Sequence, residues 1–201
     1  MLKLGELFFR FRNYTPIPFL IYIIVFGDNT FSFNSIVIGT AGIVLGELIR
    51  IHGVAYIGRV SRTRSFSTGR QLVTGGPFSY VRNPLYIGNL LISGGLVITA
   101  NVGLYFTLGF FFFFFVQYIP IIQWEESILQ KKFGMEFTEY TRKVPRWFPA
   151  LFRQINVDEK KGGDYATALK SETSTLASIA VLYILILWRS GWIAYWFPNL
   201  L

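Results

Sequence analysis

The chain contains no cysteine. Disulfides, thiolate metal sites and a cysteine nucleophile are therefore excluded. It has one histidine, His52, which excludes a histidine-rich zinc or iron centre. Charge is also scarce, at 15% of residues, where a soluble domain carries about 25%. Acidic residues are rarest: 11 Asp and Glu stand against 19 Lys and Arg, and none occurs from Leu48 through Trp124. No internal repeat is visible. Lys3, Arg10 and Arg12 precede an apolar stretch at Ile17–Phe26, but no small-residue cleavage site follows, so a cleavable signal peptide is not expected.

What fills the chain instead is apolar. Hydrophobic residues make up 52% of 201 positions, and the mean hydropathy is +0.45. This combination predicts an all-α integral membrane protein. Five apolar segments stand out: Tyr14–Gly27, Ser35–Gly58, Leu85–Ala100, Val102–Ile122 and Leu176–Trp188, the last extending towards Phe197. Spanning takes roughly 20 residues; the first and third segments are short and would need flanking turns. A polar tract from Ala150 to Thr175, with "DEKKGGD" inside it, reads as a linker or surface segment before a last helix. The expected organisation is an N-terminal helix and first span over 1–34, a core over 35–150, and a linker with a C-terminal helix over 151–201.

The net charge of +8 would point to nucleic acid on a soluble chain. Topology explains it better here. With the N-terminus inside, Lys3, Arg10, Arg12, Arg59, Arg62, Arg64, Arg70, Arg82 and the tract Lys131–Lys170 all fall inside, and only Arg189 must lie towards the far side. Cytoplasmic loops of membrane proteins carry such an excess of Lys and Arg. No nucleic-acid partner and no metal are expected, and the bilayer itself is the expected surrounding. The compact length and tight loops favour a prokaryotic inner membrane.

Chemistry concentrates in two places. "GGPFSYVRNPLYIGN", Gly75–Asn89, puts Arg82 and Asn83 ahead of Pro84 at the start of the third segment. Proline suits the first turn of a helix, where its missing N–H costs nothing. A helix start offers free N–H groups to an anion. Glu125 and Glu126 then end the long acid-free stretch, at the inner end of the fourth segment. Only Ala100–Asn101 separates segments three and four. That hairpin should bring Arg82 close to Glu125 and Glu126. Together these groups suit a carboxylate on the arginine side and a cation or ribose hydroxyls on the acidic side. A plainer reading stands beside this one: arginines snorkel at helix ends, and tyrosines such as Tyr86 sit in aromatic belts. Gly88, Gly94 and Gly95 permit close helix packing. Glu47 and Arg50, three apart, read as a structural pair. The run Phe110–Phe115 reads as lipid-facing or packing surface.

"LVTGGPFSYVRNPLYIGN", followed by "EESILQKKFGMEFTEYTRKVP", resembles the isoprenylcysteine carboxyl methyltransferase family, which is related to the membrane phospholipid methyltransferases. The matching positions are Leu72–Val73–Thr74, Gly76–Pro77–Phe78, Arg82–Asn83–Pro84, Tyr86, Gly88, Glu125–Glu126, Phe133–Gly134, Tyr140 and Val144–Pro145, covering about 40–150. The resemblance implies a membrane enzyme that uses S-adenosylmethionine in a pocket on the cytosolic face. It implies cofactor contacts from Leu72, Val73, Gly76, Arg82, Asn83, Pro84, Tyr86, Glu125 and Glu126, with Arg82 and Glu125 as catalytic candidates. It also implies a membrane lipid or prenyl-type acceptor arriving from the bilayer. Three departures concern the acceptor. Asn83 replaces the histidine of the family's Arg-His-Pro, Arg70 stands where the carboxyl methyltransferases have another histidine, and Asn89 replaces an aromatic.

A carboxylate acceptor is ionised at neutral pH and needs no base, whereas an amine must first lose a proton. Carboxyl methylation of an isoprenylcysteine-like or other lipid substrate is therefore the first expectation. Phosphatidylethanolamine N-methylation is the alternative enzyme, and a non-enzymatic small membrane protein is the alternative outside enzymology. A transporter fits less well, since no paired, Gly/Pro-broken segments are present.

Overall fold

The computed structural model describes residues 2–26, 32–58, 71–149, 162–192 and 195. Arg59, Arg62, Arg64, Arg70, the "DEKK" part of the polar tract and, in the extension towards Phe197, residues 193, 194, 196 and 197 lie outside the described residues. Among those described, every regular element is helical: α1 (Leu2–Phe11), α2 (Ile17–Phe26), α3 (Phe33–Ile57), α4 (Pro84–Ala100), α5 (Leu104–Phe133), α6 (Met135–Lys143) and α7 (Tyr165–Arg189), with a short 3-10 turn at Gly76–Ser79.

Among the described residues three helices, α3, α5 and α7, are long and apolar enough to cross a membrane, while α2 and α4 are shorter apolar helices. These two are the first and third segments, which read as short in the sequence. α2 has 10 residues and α4 has 17. At 1.5 Å per residue, α2 is about 15 Å long, half the hydrocarbon thickness.

Local sequence sets the helix boundaries. Ser32 opens α3, its side chain accepting from the Ser35 N–H. This is the usual service of a serine at that position. Pro84 occupies the first turn of α4, and Asn101 closes it in the left-handed region at φ 50°. Asparagine tolerates that conformation better than most residues. Asp164 opens α7 and accepts from Thr167 N–H. α7 therefore starts inside the tract read from sequence as a linker. "ATALKSET" is rich in good helix formers, and its polarity has a partner within the bundle, described below.

The central contact is α3 against α4, antiparallel across the acid-free segment. It is a seam of glycines. A Cβ on Gly46 would stand 2.7 Å from the Gly88 carbonyl oxygen, and one on Gly88 would stand 2.8 Å from that of Gly46. Gly39 and Gly95 repeat the arrangement one heptad deeper. Small residues let backbones approach in lipid, where no hydrophobic force drives helices together.

α5 buries one stripe: Phe110, Phe114, Gln117, Ile121, Ile122 and Glu125. Steps of three and four residues, with Ile122 beside Ile121, keep these on one face. The phenylalanine run therefore splits, with Phe110 and Phe114 buried while Phe112 is 73% exposed. α1 lies along the far end of α5. Gly5 meets the Pro120 carbonyl and Trp124, and Phe9 packs on Trp124 with ring centroids 4.9 Å apart. α5 continues to Phe133, so Glu125 and Glu126 lie within the helix rather than at its end.

Candidate functional site

The site begins in the loop before α4. Gly76 has φ 57°, and a Cβ there would meet the Tyr56 ring at 2.6 Å. Only glycine serves where a positive φ and so close an approach coincide. The 3-10 turn that follows carries Pro77 in its first turn and buries Phe78. The Tyr140 hydroxyl donates to the Phe78 carbonyl at 2.7 Å. Leu72 packs on the buried cluster of Phe137, Tyr140 and Val144. The segment after α6 closes the other side. Arg82 N–H donates to the Pro145 carbonyl at 2.9 Å, and Asn83 Nδ2 donates to the Arg146 carbonyl at 3.3 Å.

Two carboxylates then take separate partners. Arg82 Nη1 lies 3.1 Å from Glu126 Oε1. Arg146 grips the same carboxylate in two-pronged fashion, Nη2 at 2.5 Å from Oε2 and Nε at 3.2 Å from Oε1. Glu125 points elsewhere: Tyr86 hydroxyl donates to its Oε2 at 2.8 Å, and the carboxylate is 5% exposed. Tyr86 also meets Tyr118 edge to face at 5.2 Å, with Ile121, Ile122 and Trp147 packed around it. Thus Arg82 and Glu126 meet as the short hairpin demands. Glu125, one residue away, turns about 100° round the helix to the Tyr86 side.

The electrostatics follow from burial. Desolvation lowers the Arg82 guanidinium below its ordinary pKa, with Glu126 opposing and Arg146 adding to the shift. Burial raises the Tyr140 phenol well above its usual range, partly offset by Arg82. The Arg82 Nε is buried and has no hydrogen-bond partner among the described residues. Buried donors are normally satisfied, so this atom suits an anionic group such as a carboxylate. Among the described residues no group of three or more His, Cys, Asp or Glu is placed to hold a metal ion.

The sequence-derived residues therefore gather at one end of the α3–α4–α5 bundle. Leu72, Gly76, Arg82, Asn83, Pro84 and Tyr86 come from the loop and the first turn of α4; Glu125 and Glu126 come from α5. Val73 lies in the same loop, half-buried. Three neighbours were not foreseen in these roles: Tyr56 beneath Gly76, Arg146 on Glu126, and Trp147 beside Tyr86. Arg146 had a signal, since it directly follows Val144–Pro145. Glu47 and Arg50 are 3.8 Å apart, but Arg50 has a nearer partner, Glu172 of α7, at 2.6 Å. The pair read as local is in fact a three-helix cluster. His52 packs edge to face on Tyr56, ring centroids 5.2 Å apart, and its Nδ1 shares a hydrogen bond of 2.7 Å with the Tyr165 hydroxyl.

The model of the phospholipid methyltransferase family matches residues 34–136. Among curated proteins, the chain is 34% identical to the cobalt-zinc-cadmium resistance protein CzcN of Cupriavidus metallidurans, over 57% of this chain and 49% of that protein. It is 30% identical to the nickel-cobalt-cadmium resistance protein NccN of Alcaligenes xylosoxydans xylosoxydans, over 62% and 54%. It is 31% identical to protein-S-isoprenylcysteine O-methyltransferase B of Arabidopsis thaliana, over 55% and 57%. The chain spans about half the length of these relatives. No solved structure matches it significantly.

Proposed function

The chain belongs to the phospholipid methyltransferase family, and from that premise we propose that it is an S-adenosylmethionine-dependent membrane methyltransferase for a lipid-like acceptor. The observation that carries this reading is the buried Arg82 Nε, without a hydrogen-bond partner among the described residues, beside a Glu126 engaged by both Arg82 and Arg146. Arg82 is held by its backbone bond to Pro145 and by its ion pair, which leaves its Nε available to a ligand carboxylate. S-adenosylmethionine, when bound, supplies an electrophilic methyl group on a sulfonium and presents such a carboxylate. Arg82 would hold that end, and Leu72, Val73 and Gly76 offer backbone to the rest. Asn83 and Pro84 fix the start of α4, and Glu126 fixes Arg82. Glu125 and Tyr86 form a separate hydrogen-bonded pair that can orient polar groups at the reacting end.

The acceptor read from these residues is a carboxylate on an isoprenylcysteine-like or other lipid substrate. Such an acceptor would take the methyl group without giving up a proton, so the residues around it would need only to orient it and exclude water. Methylation of a phospholipid amine is the second reading, favoured by the family description. The amine must shed a proton, and Glu125, buried beside Tyr86, is the nearest candidate to take it. The basic flanks of α1 and α5 favour a cytosolic site, and the compact chain favours a prokaryotic inner membrane.

Binding of S-adenosylmethionine to the purified protein in detergent tests the reading, with Arg82→Ala and Glu125→Ala alongside. Saturable binding that both variants lose supports it. No binding to a folded wild-type protein rejects it. Transfer of labelled methyl to a prenylcysteine analogue or to phosphatidylethanolamine then separates the two acceptors.

A further inference from the structure

α7 buries few side chains, namely Ala168, Ser171, Glu172 and Ile186. Polar contacts hold much of its length. Asp164 N–H donates to the Ala55 carbonyl at 3.0 Å, and Tyr165 reaches His52. Deeper in the bundle, Tyr183 hydroxyl meets Thr40 Oγ1 at 2.5 Å. Between these levels lies the Arg50 cluster. Arg50 Nη2 bonds Glu172 Oε2 at 2.6 Å, and Nη1 bonds Asn89 Oδ1 of α4. Arg50 Nε stops 3.8 Å short of Glu47 Oε2.

Glu47 is the anomaly. It is 6% exposed, and neither carboxylate oxygen has a hydrogen-bond partner among the described residues. The Arg50 Nε facing it has none either. Glu47 thus keeps only a long ion pair to Arg50 and no hydrogen bond, which is expensive for a buried carboxylate, and ionisable residues inside a membrane bundle tend to be functional. One guanidinium thus stands between two carboxylates on different helices. It is bonded to the one on α7 and close to the one on its own helix, a turn away. Were Arg50 to turn towards Glu47, it would keep an ion pair while its bond to α7 opened.

We propose that Arg50 is an exchange latch: paired with Glu172 it holds α7 against α3 and α4, and paired with Glu47 it releases α7, opening a seam for the lipid-like acceptor. Behind α7 that seam uncovers Ile43 and Ile92, which now pack with Ile186 in the core. These apolar walls suit a hydrocarbon or prenyl tail. Asn89, the Arg50 partner on α4, lies one turn beyond Tyr86, so the seam leads towards the Tyr86–Glu125 pair. The acceptor's use of the seam rests on the methyltransferase reading; the exchange of partners does not.

The absence of cysteine makes the test clean. Spin labels on Leu45→Cys of α3 and Val181→Cys of α7, both exposed positions, report the distance between the helices in lipid nanodiscs. Two distances are expected in the background protein. Glu47→Gln removes the second partner and should deplete the longer distance. Glu172→Gln should enrich it. Tyr183→Phe, which loosens α7 without altering charge, should enrich it too and serves if Glu172→Gln does not fold. A distribution unchanged by Glu47→Gln, or unchanged by the α7 variants, overturns the latch. No cofactor or acceptor is needed for this reading, so failure of methyl transfer cannot mimic failure of the latch. If the distances respond but no lipid acceptor, added at saturation, shifts them, the acceptor route is overturned and the exchange stands.

Discussion

The Tyr140 hydroxyl donates to the Phe78 carbonyl at 2.7 Å, so the helix after α5 holds the loop before α4. Removing that donor takes away a hydrogen bond between the two segments. Tyr140→Phe is expected to cost about 0.5–1.5 kcal/mol of stability, visible as a lower melting temperature in detergent.

The same tyrosine makes a pH prediction with a definite sign. Its folded pKa is raised by burial above the ordinary phenol value near 10. The neutral phenol therefore stabilises the fold fully below about pH 10 and progressively less as pH rises towards the folded value. The wild type should lose stability over that alkaline range, and Tyr140→Phe should lose less. Melting curves taken at stepped alkaline pH decide it; equal slopes for the two proteins would contradict the assignment.

Arg82 and Glu126 should separate binding from scaffold. Arg82→Gln is expected to weaken S-adenosylmethionine by about 2–5 kcal/mol, or roughly 30-fold to several thousand-fold in Kd. Glu126→Gln leaves both Arg82 and Arg146 without their shared carboxylate. It should lower thermal stability more than Arg146→Gln does, because Arg146 is the more exposed partner. Calorimetric titration and melting curves on the same preparations give both quantities.

How much of this was legible beforehand depends on what each contact needed. Arg82 and Glu126 were readable as neighbours because the Ala100–Asn101 turn is too short to allow anything else. The grip of Arg146 was not, because its position follows from the bends at Gly134 and Val144, and no spacing encodes their direction. The start of α7 was missed because hydropathy marks where lipid begins, whereas Asp164 and the helix formers after it mark where the helix begins. Glu47 and Arg50 looked like a local pair because they are one turn apart. Glu172 is remote in sequence, and only the packing of α7 on α3 reveals it as the nearer partner.

The α3–α4 seam makes a contrast available within one chain. Gly46→Ala drives a methyl group to 2.7 Å from the Gly88 carbonyl oxygen. Overpacking of this kind costs about 1–3 kcal/mol. Gly109→Ala faces open space, with nothing within 4 Å of the new Cβ. In the interior of α5 it should be neutral or stabilising by up to about 1 kcal/mol. Unfolding of both variants in mixed micelles gives the comparison. A Gly46→Ala protein as stable as Gly109→Ala would mean the backbones are not in contact.

That seam also has an entropic side. Side chains immobilised between helices lose rotamer freedom, up to about 2 kcal/mol for the longest ones. Glycine has no rotamers to lose, so where Gly39, Gly46, Gly88 and Gly95 meet, α3 and α4 associate without that penalty. Such a joint has no alternative side-chain packing to hop between. α3 and α4 can therefore behave as one stiff post, against which motion elsewhere in the bundle is measured.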